Sequence, residues 1–300
     1  MKVLILGATG FIGLPVAQAF VRAGHVVYGQ TRSATKSMQL AAEEIIPVVA
    51  DLNETAKYLS LVASVDAVID AVGGTNLSTF SKFLLDAIAE AIQAHRPPSA
   101  PKLTYIHTSG TWVHGENRSD VVGDTSPLGD TPALVAWRPA QEQRVITNPL
   151  LNGIVIRPAL LYGRSASLMA PYFRKAYEGQ VQWPGTPGGR LALIHCDDLA
   201  ELYLLAAEKA AIAGGKIFDV ANDVTESTDA FLQRLVEVSG GTKPYVYTEP
   251  ANVFEATLNT TTIIRPYLGR ALLGWRPRKA GLLDHMHIYY NAWKASEGLP

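Results

Sequence analysis

Three glycines at fixed spacing, Gly7-x-x-Gly10-x-x-Gly13, constrain what this chain can fold into more than any other feature. They follow the apolar run Val3-Leu4-Ile5-Leu6, the pattern of a strand buried on both faces of a parallel sheet. They precede Phe11 to Val21, where apolar residues recur at helical spacing and stop at Gly24. Between a strand and a helix the chain must turn tightly, a pyrophosphate must be able to approach the backbone, and the helix must pack close to the sheet. A glycine serves each need. The unpaired amides of Phe11, Ile12 and Gly13 then face a phosphate with the positive end of the helix dipole. A lone glycine triplet also suits an ordinary βα turn, but its place inside a strand-turn-helix-strand unit favours a dinucleotide site.

The alternation continues along the chain. Residues 25–29 predict a second strand, 35–43 a helix, 45–49 a third strand, 66–71 a fourth, 79–94 a long helix and 103–108 a fifth strand. The polar stretch 115–136, rich in Gly, Pro and Asp, predicts an irregular loop. A helix at 137–148, a strand at 153–157 and another at 216–220 resume the pattern. Strands alternating with helices define an α/β class, a doubly wound parallel sheet that binds ligands at the carboxyl ends of its strands. Residues 1–164 are expected to form the dinucleotide-binding domain, with about 195–221 completing its sheet. Residues 165–194 and 222–300 are expected to form an interleaved, mostly helical substrate cap.

Composition narrows the partners. Lys plus Arg number 26 against 27 Asp plus Glu, a formal charge of −1, so no polybasic surface invites nucleic acid or an anionic membrane. With 48% hydrophobic residues the chain is too apolar for disorder, yet no apolar run reaches membrane-helix length. The single cysteine, Cys196, excludes an internal disulfide and a cysteine-rich metal site. The opening apolar run breaks at Gly7, unlike a signal peptide, and a cytoplasmic location is expected.

The end of the second strand selects the cofactor form. An acid there binds the ribose 2′-hydroxyl of NAD, whereas a basic residue suits the 2′-phosphate of NADP. The chain has Gln30-Thr31-Arg32-Ser33, with Lys36 one turn on and no acid. Arg32 offers a planar donor fork and Lys36 a second positive charge, so NADP(H) is expected over NAD(H).

The residues resemble the short-chain dehydrogenase/reductase superfamily in its extended or atypical branch, which includes nucleotide-sugar epimerases and dihydroflavonol-type reductases. The turn Gly7-Ala8-Thr9-Gly10-Phe11-Ile12-Gly13 is similar to that family's cofactor turn. Arg157-Pro158-Ala159-Leu160-Leu161-Tyr162-Gly163, Ile194-His195-Cys196-Asp197-Asp198 and Leu273-Gly274-Trp275-Arg276-Pro277 resemble three later segments in the same order. The resemblance implies a Rossmann-type fold, with Asp51 and Leu52 beside the adenine. It also implies that Thr9, Ala71, Val72, Gly73, Thr108, Pro158, Ala159 and Leu160 lie along the cofactor. Pairing of two copies through the helices after the fourth and fifth strands is a further expectation.

The family's chemistry does not carry over. It uses a Ser or Thr after the fifth strand and a Tyr-x-x-x-Lys on the next helix. Here the serine position falls on Gly110, between Ser109 and Thr111, while Trp137 and Gln141 stand for the tyrosine and lysine. A literal Tyr290-x-x-x-Lys294 lies far beyond that helix. Indole has no titrating proton and an amide carries no charge, so another acid or base is required. The candidates are Ser109, Thr111, His114, Tyr162 and Arg138. His114 is a candidate proton donor, or is a polar loop residue. Arg138 stabilises an oxyanion or grips a carboxylate, unless it pairs with Glu142 one turn on. Trp112, Trp137 and Tyr162 are the expected substrate pocket. His195, Asp197 and Asp198 resemble metal ligands only superficially: Asp197 is expected to cap a helix, and no metal is expected.

The expected activity is NADP(H)-dependent reduction of a small or medium-sized carbonyl compound. The missing Tyr and Lys keep two alternatives open: a non-redox isomerase, lyase or hydrolase that binds NADP, and a non-catalytic NADP-sensing regulator.

Overall fold

The computed structural model describes residues 1–300. Strand β1 (Lys2–Leu6) leads into α1 (Gly13–Arg22), followed by β2 (Val26–Thr31), α2 (Ala34–Ala42), β3 (Ile46–Val49), β4 (Ala67–Asp70), α3 (Leu77–His95) and β5 (Leu103–Thr108). Next come β6 (Asn117–Val122), α4 (Arg138–Ile146), β7 (Leu151–Pro158), β8 (Leu160–Tyr162), α5 (Ala170–Tyr177), β9 (Gln182–Pro184), β10 (Arg190–Leu191) and β11 (Leu193–His195). The chain continues through α6 (Cys196–Glu208), α7 (Ala210–Ala213), β12 (Ile217–Val220), β13 (Glu226–Ser227), α8 (Thr228–Ser239) and β14 (Val246–Thr248). It ends with α9 (Val253–Leu258), β15 (Thr262–Ile264), α10 (Leu268–Leu273) and α11 (Met286–Ser296).

The central sheet is seven-stranded, in the order β12-β7-β5-β4-β1-β2-β3, and every neighbouring pair is parallel. The chain winds outward from β1 in one direction and from β4 in the other, so the switch point lies between them, where a ligand crevice is expected. Alternate residues serve the two faces, as the strand period of two requires. Val3, Ile5, Ile69 and Ile106 join α1 and α6 in one core, whereas Leu4, Leu6, Val68 and Tyr105 join α3 in the other. A third core lies beyond the carboxyl edge, where Tyr162, Phe173, Trp183, Phe231, Tyr290 and Trp293 pack together.

Two stretches differ from expectation. Residues 115–136 are not irregular throughout, because β6 pairs in parallel with β15. Asp124 clasps this segment to distant chain: its carboxylate accepts from the amides of Asp219 (2.8 Å), Tyr267 (2.8 Å) and Leu268 (3.1 Å). Residues 264–275, expected in the cap, pack instead with the sheet. Ile264, Leu273 and Trp275 belong to the core beneath α1 and α6, and the Trp275 indole donates to Asp198 O at 2.8 Å.

Candidate active site

The glycine turn is built as its spacing requires. Gly7 has φ +77°, and a Cβ there would lie 2.8 Å from Ala71 O. A Cβ on Gly13 would lie 2.1 Å from Gly7 O, so any side chain would push α1 off the sheet. Gln30, buried at the end of β2, fixes the turn from below by accepting from Gly7 N (2.9 Å) and donating to Ala50 O (2.6 Å). The Thr9 and Thr31 hydroxyls stand 3.3 Å apart. The amides of Phe11, Ile12 and Gly13 donate to no protein acceptor, which leaves a helix N-terminus free for phosphate.

A cavity of about 360 Å³ opens from this turn along the carboxyl ends of the strands. Gly10, Phe11 and Ile12 line it after β1, Ala71, Val72 and Gly73 after β4, Thr108 at the end of β5, Pro158 at the end of β7, and Ala159 and Leu160 just beyond it. Arg32 and Lys36 are exposed beyond its end, and neither makes an ion pair. The exposed Asp51 and half-buried Leu52 follow β3, outside the cavity wall. The free amides and the glycine cradle fit the pyrophosphate of a nicotinamide dinucleotide, and the cavity beyond has room for its nicotinamide end.

Ser109, Thr111, Trp112, Trp137 and Arg138 also line the cavity. Ser109 is held by an unforeseen partner: its hydroxyl donates to Glu142 Oε1 at 2.5 Å. Glu142 in turn accepts both side-on donors of Arg157, at 2.9 Å from Nε and 2.6 Å from Nη2. Arg138 therefore does not form the pair with Glu142 that its i, i+4 spacing offered. Its Nη1 donates to Thr108 O at 3.3 Å and its guanidinium lies 5.0 Å from the Trp137 ring centre. Gln141, in the lysine position, is buried and donates to Ser81 O at 2.9 Å.

Two candidates lie elsewhere. His114 is buried away from the cavity, its Nε2 2.8 Å from Asp219 Oδ2, in a polar chain that continues through Arg157 to Glu142. Tyr162 belongs to the cap core: its hydroxyl donates to Ala280 O (2.8 Å) and accepts from Asn222 Nδ2 (3.1 Å), and burial pushes its pKa far up. Neither side chain lines the cavity: His114 closes the short 3-10 turn Thr111–His114 after β5, Tyr162 ends β8, and both point into packed interior. Tyr290 is buried beside Phe173 and Trp293, also outside it.

His107 was not foreseen. It is 2% exposed, lines the cavity, and sets its Nδ1 3.0 Å from Asp70 Oδ2. Asp70 also accepts from the Tyr105 hydroxyl at 3.1 Å and the Val72 amide at 3.3 Å, while His107 Nε2 is buried with no partner. The sequence signal was a polar residue inside each of two apolar strands. Only the register, which sets Asp70 opposite His107, makes them a pair.

The helix start after β11 also differs. His195 caps α6, its Nδ1 accepting from Asp197 N at 3.1 Å, whereas Asp197 pairs with Arg164 (2.7 Å) and Lys279 (3.2 Å). His195, Cys196 and Asp197 lie close enough to share an ion, but these two cations already neutralise the carboxylate. Beyond Gly163, the residues Arg164, Ala166 and Ser167 hold left-handed φ values of 48°, 66° and 47°, a strained segment that carries Ser167 and Leu168 to the cavity edge.

A parallel sheet with a free helix N-terminus at its switch point defines a dinucleotide-binding α/β protein. Residues 7–162 match the NAD(P)H-binding family, and the chain belongs to it, as an extended, atypical short-chain dehydrogenase/reductase. The 2-alkyl-3-oxoalkanoate reductase of Stenotrophomonas maltophilia is 26% identical over 235 residues, covering 74% of this chain and 71% of that protein. A 3-diazoavenalumate denitrifying reductase of a Streptomyces species is 25% identical over 233 residues, 70% of this chain and 73% of that protein. The fold is similar to the crystal structure of UDP-glucuronic acid 4-epimerase from Bacillus cereus, with a TM-score of 0.79 at 18% identity over 99% of this chain and 100% of that one.

Proposed function

We infer that the protein is an NADPH-dependent reductase of a small or medium-sized carbonyl compound. The observation that carries this reading is the continuity of one cavity, from the free amides after Gly10 to the polar wall formed by His107, Thr108, Ser109 and Arg138. The two relatives above are named as reductases, which supports the same class.

Phe11, Ile12 and Gly13 would hold the pyrophosphate, and Arg32 with Lys36 the 2′-phosphate. When bound, NADPH supplies a hydride for the carbonyl carbon. The protein must then provide a proton at the carbonyl oxygen. Ser109 directs its own proton to Glu142, so it serves the substrate as an acceptor or a positioning hydroxyl. His107 is better suited: Asp70 orients the ring through Nδ1, leaving Nε2 to carry the transferred proton. Thr108 is fixed by donating to Asp70 O and by its 2.6 Å contact with the Tyr203 hydroxyl, which holds the end of β5 in place. The apolar side chains of Leu77, Phe80, Trp112 and Trp137 exclude water from this wall.

The test is NADPH oxidation with a panel of ketones, aldehydes and oxo acids. Cofactor-dependent turnover of at least one class is expected. Tight NADPH binding with no turnover by any member would leave the alternative of a non-redox enzyme, which the Trp137 and Gln141 replacements favour.

A further inference from the structure

Arg138 lines the cavity and has no counter-ion. Its one protein hydrogen bond is the contact from Nη1 to Thr108 O at 3.3 Å. Nε is buried without a partner, and no carboxylate lies within ion-pair distance. The two acids closest in charge are already engaged: Glu142 holds Arg157 and Ser109, and Asp70 holds His107, Tyr105 and the Val72 amide. Burial draws the Arg138 pKa below the ordinary guanidinium value, although the group stays charged at any physiological pH. A desolvated cation with no partner is costly, and an anionic ligand removes that cost.

The neighbouring arginine shows what the free edge accepts. Arg157 receives Glu142 side-on, through Nε and Nη2. The same edge of Arg138 makes no protein bond, and a carboxylate matches its two parallel donors. Gly110 contributes room, since even a Cβ there would come no closer to Arg138 than 3.9 Å from Nη1. No lysine or second arginine lines the cavity, so a monoanion fits better than a phosphate dianion. Elsewhere the cavity is lined by the apolar side chains of Leu77, Phe80, Leu84, Val135 and Trp112, and the Trp137 ring lies beside the guanidinium.

We propose that Arg138 seats the carboxylate of the substrate, so that the cavity takes an oxo acid with an apolar chain. The assignment rests on the reductase reading for its carbonyl and on the free guanidinium edge for its carboxylate. Arg138 sets which substrates are accepted, and His107 is left to face the carbonyl end.

The test has a binding arm and a turnover arm. In calorimetric titrations of the NADP-loaded protein, octanoate is expected to bind at least about tenfold more tightly than 1-octanol. The preference should vanish in Arg138→Gln and partly return in Arg138→Lys, with NADPH affinity unchanged in both. In turnover, a set of oxo-octanoates should exceed their methyl esters in kcat/KM for the wild type, and the two should converge in Arg138→Gln. Equal binding of octanoate and octanol by the wild type overturns the proposal without needing a variant. Loss of NADPH binding in Arg138→Gln, in step with octanoate, overturns it differently, by giving the guanidinium to the cofactor. If octanoate is preferred but no oxo acid is reduced, the carboxylate seat stands and the reductase reading fails. If ketones and methyl esters are reduced as well as the acids, the reductase reading stands and the seat fails.

Discussion

The chain buries two histidine–carboxylate pairs that are chemically alike and differ in what surrounds them. His107 meets Asp70 at 3.0 Å through Nδ1 and His114 meets Asp219 at 2.8 Å through Nε2, and in each the other ring nitrogen is buried without a partner. The first pair stands in the cavity wall; the second is sealed behind it, linked through Arg157 to Glu142 and Ser109. An imidazole beside a carboxylate is therefore no sign of chemistry by itself. In the first pair the partnerless nitrogen belongs to a residue of the cavity wall, and in the second to a residue that no ligand in the cavity can reach.

The largest effect separating them is expected in stability. Asp219→Ala removes the partner of His114 and one acceptor near Arg157, and breaking such a buried pair costs about 3–5 kcal/mol. Urea denaturation should show this loss as a lower midpoint with an unchanged slope. A shift under about 1 kcal/mol would show that the sealed pair is not structural.

The cavity pair should respond in rate. His107→Gln is expected to lower kcat by about 100-fold or more, with NADPH affinity and melting temperature little changed. If kcat holds while the melting temperature falls, His107 is a packing residue like His114.

A third buried imidazole sharpens the contrast, because no carboxylate is hydrogen-bonded to it. Burial holds the His195 pKa down at about 4, against 6.5 for the free side chain. Between those values the unfolded chain takes up a proton that the native protein refuses. Stability is thus complete above about pH 6.5 and falls as pH drops toward 4, by about 2 kcal/mol after allowance for partial solvent screening. Asn is also a good helix cap, so His195→Asn should flatten this acid limb in denaturation curves taken from pH 7 to 4.5. An unchanged limb would assign the acid sensitivity to other groups.

The smallest effect lies farthest from both pairs. Arg32→Glu should weaken NADPH binding by about tenfold and bring NADH affinity up toward it, because a carboxylate repels a 2′-phosphate and accepts a ribose hydroxyl. Fluorescence titration of both cofactors checks this, and undiminished NADPH affinity would contradict the assignment.

The same contrast explains what was legible in the sequence. Strands and helices of the sheet follow hydrophobic periodicity, and the glycine turn carries its geometry in its spacing, so both were readable along one dimension. Partner choice was not. Arg138 and Glu142 sit one turn apart, yet Glu142 is taken by Arg157 from β7, because α4 lies over that strand. His114 and Tyr162 fall near the strand ends but point into packed interior, whereas His107 required the β4–β5 register to meet Asp70. The pairing of β6 with β15 joins segments separated by most of the second half of the chain, and no local pattern announces it.

Carbonyl reduction requires hydride transfer from the cofactor into a substrate held in this one cavity. Single-turnover reaction with NADPH deuterated at nicotinamide C4, followed by mass spectrometry of the products of the oxo-acid and ketone panel, measures it. Deuterium is expected on the former carbonyl carbon, with the rate sharply reduced in His107→Gln. No label in any product, from a protein that binds NADPH tightly, would contradict it.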